Sequence, residues 1–451
     1  MAELATPPPP PTPAPAPAPK PPANVMPPEK AVPAGIRKVF AKHTEGTLLP
    51  NRLWPTDVWP NPWKSASYRR GALVLSALIL AGTGAAFFLR EIGVPLAALR
   101  ETLHRFAEAN LPQVPSWAAE AVWILAKALV VLHIILFNGL FLVWWERKIS
   151  AHMQSRLGPI FTGKWHGVLQ TAADGIKLLL KEDAAPKEKD SWLHSLAPAL
   201  VFVPVLICFT PVPWGRDLEA ANLDAGVLYI FAWAGLSVLG IVLAGWASAN
   251  KYSLLGGLRS AAQFVSYELP RSFSLVPLIA IAGSLSLTKI AGYQEGYWFG
   301  FFPKWFLFYP VVGQISFVIF LIASVAETNR TPFDIAEAES ELVGGFHTEY
   351  SGMKFSIFFL TEYAYVLLAS CLLTTFFMGG GAAPLPFLSV LPSWFWFLGK
   401  TLFFMFCFLW FRWTFPRFKI DRLLDFNWKF LLPWSFVNIV LALPYIYLWK
   451  L

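Results

Sequence analysis

The chain has 451 residues, 56% of them hydrophobic and 14% charged, with a mean hydropathy of +0.51. Soluble domains carry about 25% charged residues, so this balance excludes a soluble globular protein and points to an all-α, polytopic helical membrane protein. The net charge of +8 reads as membrane topology rather than as a nucleic-acid signal.

Residues 5–34 are mostly Pro and Ala, which cannot bury a core and favour disordered polyproline II. A Pro-rich tract ahead of any apolar run does not fit a secretory signal. Residues 52–63 are dense in Trp and Pro and suit a membrane interface or a docking contact. The chain divides into an extension at 1–70, an extra spanning helix (71–89) with its linker over 71–117, and a membrane domain at 118–451. Within that domain, runs long enough to cross about 30 Å of hydrocarbon fall at about 119–145, 195–213, 225–250, 270–288, 305–326, 355–377, 393–411 and 430–449. Lys127, Glu362 and Lys400 are charges inside or beside these runs. The runs are too long for barrel strands and lack period-2 alternation, so each is expected to be a helix. The loops at 146–191, 250–271, 327–354 and 411–429 hold eighteen Lys and Arg against four in the alternate loops and the C-terminal tail. That asymmetry places the first set, and the N-terminus, in the cytoplasm.

The connecting loops are patterned. At 165–182, Trp165, Val168, Leu169, Ala172, Ile176, Leu179 and Leu180 share one helical face, with Gln170, Asp174, Lys177 and Lys181 on the other. The spacing predicts an amphipathic helix on the membrane surface or roofing other helices. In a loop at 251–268, Arg259, Gln263 and Ser266 form one stripe and Leu254, Leu258, Ala261 and Val265 another. Gly256–Gly257 permits close backbone approach, and Glu268 stands at the mouth of the next span, before Pro270.

Six carboxylates lie between Glu327 and Glu349 in a chain otherwise poor in acid. Ionised groups near a bilayer are costly, so such a cluster is a functional candidate. Thr331–Pro332 with Asp334 predicts a helix start. On that helix Asp334, Glu337 and Glu341 share a face, Glu339 points away, and crowded like charges are expected to hold protons near neutral pH. Arg330, one turn from Glu327, is placed to offset its charge. Glu349 and Glu362 extend the series. The alternative is a solvated acidic surface helix. Three cysteines, Cys208, Cys371 and Cys407, are scattered through apolar runs without iron–sulfur or zinc spacing, so no metal site and no covalently bound cofactor is expected.

The string from Glu327 to Phe355, followed by Thr361-Glu362-Tyr363, resembles the signature of the H-subunit family of bacterial respiratory complex I. Trp145-Glu146-Arg147-Lys148 with Gln154, Arg156 and Gly158–Pro159, the block from Asp174 to Glu182, and the block from Lys251 to Glu268 match three further family motifs in the right order. The resemblance covers about 118–449. It departs at Ile160, where the family usually has Asn, and it leaves out residues 1–117.

The resemblance implies eight family-core transmembrane helices, besides the extra N-terminal one, and amphipathic cytoplasmic helices. It implies a subunit of a proton-translocating NADH:quinone oxidoreductase in the bacterial inner membrane, with no catalytic residue of its own. Quinone would be the substrate, and iron–sulfur clusters and FMN would belong to partner subunits. Arg147, Arg156, Lys177, Arg259, Gln263, Arg330 and Phe333 would line the quinone-access chamber. Glu268, Glu327, Asp334, Glu337, Glu339, Glu341, Glu349 and Glu362 would couple quinone reduction to proton movement. Partners would be peripheral-arm quinone-site subunits, small membrane subunits and lipids, with no nucleic acid. The alternatives are the homologous subunit of a ferredoxin- or deazaflavin-dependent quinone or phenazine oxidoreductase, and that of a membrane-bound hydrogenase. A stand-alone transporter predicts an internal repeat, and none is apparent.

Overall fold

Long uncharged runs in hydrocarbon must satisfy their backbone polar groups internally, which leaves the helix as their form. The computed structural model describes Glu101 and residues 116–163, 166–216, 218–335 and 339–449. The expected N-terminal extension, the Trp/Pro segment and the extra span lie outside these residues, as do Trp165 and Glu337.

Helices α1 (Ser116–Met153), α3 (Ser191–Cys208) and α4 (Gly226–Ala247) are each long and apolar enough to span a bilayer, and the 11-residue α2 (Gln170–Leu180) lies between α1 and α3. Helix α5 (Lys251–Ala282) and the short α6 (Leu287–Tyr293) meet at a 63° bend and together make another spanning candidate. A two-stranded hairpin, β1 (Tyr297–Trp298) with β2 (Phe302–Pro303), pairs Tyr297 with Pro303 and Trp298 with Phe302. Then come α7 (Val312–Glu327), a four-residue helix α8 (Glu339–Leu342), and the spanning helices α9 (Gly352–Phe377) and α10 (Ser393–Thr414). Helix α11 (Ile420–Phe426), a π turn at Asn427–Leu431 and α12 (Leu432–Trp449) carry the last span. Helix α7 has only 16 residues and is mostly apolar, with Glu327 at its C-terminal end. Among the described residues six helices are long and apolar enough to cross a bilayer, or seven if α5 and α6 make one bent span, and the protein is a polytopic helical membrane protein; α7 is shorter than the span expected at 305–326.

The ends are chosen by capping chemistry. Asp190 accepts from the backbone N–H groups of Trp192 and Leu193 at the start of α3, and Asn250 accepts from Tyr252 N at 2.9 Å to open α5. Gly283 closes α5 with φ +67°. Close packing uses glycine where two backbones meet. A Cβ on Gly256 would lie 2.6 Å from Phe346 N, and one on Gly240 would lie 2.6 Å from Val201 Cγ2. Helix α9 is the central post, buried almost continuously from Tyr363 to Phe377. Helix α1 stands at the outside, with Val122, Ile124, Leu125, Val130 and Phe137 exposed.

Two sequence expectations are corrected. Residues 251–268 are not a loop ahead of a span but the first half of the unbroken 32-residue α5. Pro270 lacks the N–H that would bond Ser266 O, and that carbonyl is taken instead by Asn427 Nδ2. The helix therefore passes through the proline with its acceptor satisfied. Second, no helix starts at Thr331–Pro332. The described residues 331–335 are non-helical, and the helix described in this segment is Glu339–Leu342. Carbonyls that a helix would use are engaged from outside: Pro332 O accepts from Phe418 N at 3.0 Å and Phe333 O from Gln263 Nε2 at 2.8 Å.

The buried charge inside α10 is fully partnered. Lys400 Nζ donates to Met378 O, Gly380 O and Ala382 O at 2.6, 2.9 and 2.6 Å and sits 4.4 Å from the centre of the Trp305 ring. Three donors meet three acceptors, which is what a buried ammonium requires.

Candidate functional site

Helix α7 delivers Glu327 into the interior at its C-terminal end. There it forms an ion pair with Arg271, which α5 carries one turn beyond Glu268. The Arg271 side chain is 2% exposed, and its guanidinium lies between the rings of Phe231 and Phe320, 5.0 and 5.3 Å from their centres. A buried ion pair of this kind holds only while both partners are present. This corrects the expectation that Arg330 offsets Glu327.

Two cavities flank Glu327. One, about 20 Å³ of space for water centres, is lined by Glu327, Asn329, Glu362, Phe264 and Tyr365 among others. The other, about 10 Å³, is lined by Glu327, Glu268, Arg271, Gly235 and Phe264 among others. Each is about the size that one water occupies and far below that of a quinone ring. Glu327 is a wall of both, so Glu362, Glu327 and Glu268 follow one another with a water-sized space at each step. Tyr365 OH lies 2.5 Å from Ser237 Oγ beside this line, and Ser237 itself donates to Ala234 O at 2.7 Å.

A second ionic centre lies at the end of α1. Glu146 accepts from Arg330 Nη1 at 3.0 Å, from Arg412 Nη1 at 2.6 Å and from Tyr363 OH at 3.0 Å. Arg330 also packs 4.6 Å from the centre of the Tyr363 ring. Burial works against the Arg330 cation, but Glu146, Tyr363 and Glu362 outweigh it and raise its pKa above the ordinary value. Glu362 thus acts on Arg330 from one side and lines the cavity of Glu327 on the other.

Among the described acids after Glu327, Asp334 and Glu341 do not crowd one face. Asp334 pairs with Arg417 at 2.9 Å and Glu341 with Arg259 at 2.6 Å, while Glu349 Oε1 accepts from Asn250 Nδ2 at 2.5 Å. Separate cations answer Asp334 and Glu341 where a shared face of repelling charges was expected. The side chain of Glu339 lies outside the described residues.

The cationic candidates divide by exposure. Arg147 pairs with Asp174 at 2.5 Å, Lys177 lies 3.8 Å from the same carboxylate, and Arg156 Nε donates to Gln154 Oε1 at 2.7 Å, all on the exposed side of α1 and α2. Arg259 is partly exposed. Gln263 and Phe333 are interior: Gln263 Nε2 clamps Ala326 O at 2.7 Å and Phe333 O, and the Phe333 ring meets Phe418 and Tyr267 at 5.9 and 5.5 Å between centres. The apolar residues of α2 and its approach, Leu169, Ile176, Leu179 and Leu180, are exposed, and on α5 Leu258 and Val265 face outward while Gln263 and Ser266 face in. Sequence reasoning passed over Arg271 and Glu146 as site residues. Arg271 at i+3 from Glu268 within an apolar run was the available signal, and for Glu146 an acid at the very end of a span.

A sequence profile of the NADH dehydrogenase family matches residues 126–443. The H subunit of the NADH-quinone oxidoreductase of Anoxybacillus flavithermus is 45% identical over 335 residues, which is 74% of this chain and 96% of that protein. The second of the numbered H subunits of NADH-quinone oxidoreductase in Geobacter metallireducens is 43% identical over 337 residues, covering 70% and 93% of the two chains. The corresponding H subunit of Bacillus thuringiensis is 46% identical over 297 residues, covering 66% and 86%. A profile match across most of the membrane domain, with relatives matched over nearly their full length, means that this chain belongs to the NADH dehydrogenase family, among the H subunits of NADH-quinone oxidoreductases.

Proposed function

We propose that this chain is the membrane subunit of a bacterial inner-membrane NADH:quinone oxidoreductase that walls the quinone-access chamber and couples quinone reduction to proton translocation. The observation that carries the reading is the internal line Glu146–Arg330–Glu362–Glu327–Arg271–Glu268, in which ion pairs alternate with water-sized spaces. Reduction of a quinone takes two electrons and two protons. The electrons come from an iron–sulfur cluster in a partner subunit. The protons drawn to the quinone change the charge at the chamber mouth, where Arg147, Arg156, Lys177 and Arg259 present cations. Arg330, Gln263 and Phe333 hold the wall behind them, so a change of charge in front shifts the balance at Glu146 and then at Glu362 and Glu327. Carboxylates in a space of low dielectric respond strongly to such a change. Asp334, Glu337, Glu339, Glu341 and Glu349 form the entry to this route. The basic loops face the cytoplasm in this arrangement.

The test is Glu327→Gln in the assembled complex, reconstituted in proteoliposomes with NADH and a short-chain quinone. Coupled turnover is expected to fall at least about tenfold, equivalent to about 1.4 kcal/mol in the limiting barrier, with the complex intact. Wild-type rate with full proton yield would remove the coupling role. The subunits that purify with the chain identify the electron donor in the same preparation.

A further inference from the structure

The Arg271 guanidinium is a buried cation that pairs with Glu327 and shares the lining of one cavity with Glu268. Glu268 and Arg271 sit at i and i+3 on α5, on one face of the helix, and both line the cavity that Glu327 closes. Arg271 Nη1 engages Glu327, while its Nε has no hydrogen-bond partner among the described residues. A guanidinium carries five donors in a planar fork, so the pairing with Glu327 leaves donating capacity unspent. Phe231 and Phe320 hold the guanidinium from two sides. Across the cavity, Gly235 faces the Glu268 carboxylate, and a Cβ there would lie 3.4 Å from Glu268 Oε1, in ordinary contact.

Charge counting limits the states of this group. With both carboxylates ionised, the triad carries one net negative charge against walls that include Ala234, Val238 and Phe264. With both protonated, it carries one unpaired buried cation. Each is costly in a dry interior. The neutral states hold one proton on one of the two acids. We propose that Arg271 is a positioning residue shared by Glu268 and Glu327, and that the three form a single-proton switch: the guanidinium pairs with whichever carboxylate is ionised while the other holds the proton. In the step itself the O–H bond of one carboxylic acid breaks, its proton crosses the water-sized cavity, and an O–H bond forms on the other. The guanidinium keeps its five protons and exchanges partners, so the net charge is zero before and after. This switch deepens the proton-coupling reading and rests on it for its purpose, but its proton count stands on the triad alone.

The experiment is infrared spectroscopy of the protonated-carboxyl band in the purified whole complex, comparing wild type with Glu268→Gln, Glu327→Gln and Arg271→Gln, with proton yield measured on the same preparations in proteoliposomes. Glu268→Gln and Glu327→Gln are each expected to remove the same intensity, that of one carboxyl, because the remaining acid becomes ionised and takes the arginine. Arg271→Gln is expected to add one carboxyl, both acids then being protonated. An unchanged band in Glu327→Gln means a permanently ionised Glu327 and a static pair, which overturns the switch. A band unchanged in Glu268→Gln overturns it as well. Should Arg271→Gln fail to assemble, the two glutamine variants decide alone. Full proton yield in Glu327→Gln alongside the expected bands would sink the coupling reading and leave the switch standing. Lost yield with unexpected bands would do the reverse.

Discussion

Glu146 shows how a single residue organises one end of this protein. Its carboxylate neutralises Arg330 and Arg412 and accepts from Tyr363 OH, tying α1, the turn after α7, α9 and α10 through one side chain. Removing one member of a buried ion pair leaves an uncompensated charge and costs about 3–5 kcal/mol. Glu146→Gln is therefore expected to lower the thermal unfolding midpoint sharply and to deplete the assembled complex. Tyr363→Phe loses only one hydrogen bond to a charged group, about 1.5–3 kcal/mol at most, and is expected to shift the midpoint less. Equal shifts would mean that the carboxylate is not the hub. This residue also marks what a one-dimensional reading catches. Its place at the end of a span was plain, and so was the functional interest of Glu327, Glu362 and Glu268. The partners were not. Arg330 stands three positions from Glu327 yet bonds Glu146, 184 residues away, and Glu327 turns to Arg271 on another helix. Proximity along the chain ranks partners by spacing, whereas a buried charge takes the partner that the packing presents.

At the scale of elements, the apolar runs gave the helices and the loops gave the errors. Residues 251–268 carry polar and apolar stripes at helical spacing, which suit an amphipathic helix in a loop ahead of a separate span. In a membrane helix the polar stripe points inward, because lipid accepts the apolar face, and α5 accordingly shows Leu258 and Val265 outside with Gln263 inside. Pro270 strengthened the wrong boundary, since a proline usually ends a helix. At Pro270 the freed Ser266 carbonyl is satisfied by Asn427, which no local pattern connects to it. This pairing is testable as a cycle. Asn427→Leu leaves the Ser266 carbonyl buried without a donor, at about 1–3 kcal/mol. Pro270→Ala restores the helical N–H to that carbonyl, so Asn427→Leu is expected to cost markedly less in the Pro270→Ala background. Additive shifts in the unfolding midpoint would show that Asn427 acts elsewhere. The segment after Arg330 fails as a helix for a related reason: Gln263 and the Phe418 amide claim its carbonyls from a distance.

At the scale of the whole molecule, the distribution of charge bears on the orientation that the proposed interior route depends on. Of the cations proposed to face the quinone, Arg147, Arg156 and Lys177 are exposed and Arg259 on α5 is partly exposed, while on the alternate loops Lys289 pairs with Asp224 and Arg216 with Glu295, each at 2.8 Å. If the basic loops lie in the cytoplasm, as the Lys and Arg asymmetry predicts, then Lys187 and Arg216 stand on opposite sides of the membrane. Both are exposed, and the intrinsic thiols give little background, since Cys208 and Cys371 are buried and Cys407 is half-buried within α10. Lys187→Cys and Arg216→Cys are therefore expected to respond oppositely to a membrane-impermeant maleimide. In intact spheroplasts the Arg216→Cys variant labels at once, and the Lys187→Cys variant labels only after the membrane is opened. The reverse pattern would put the Glu146–Arg330 centre and the proposed chamber mouth on the outer side, against the orientation that the proposed proton uptake by quinone needs.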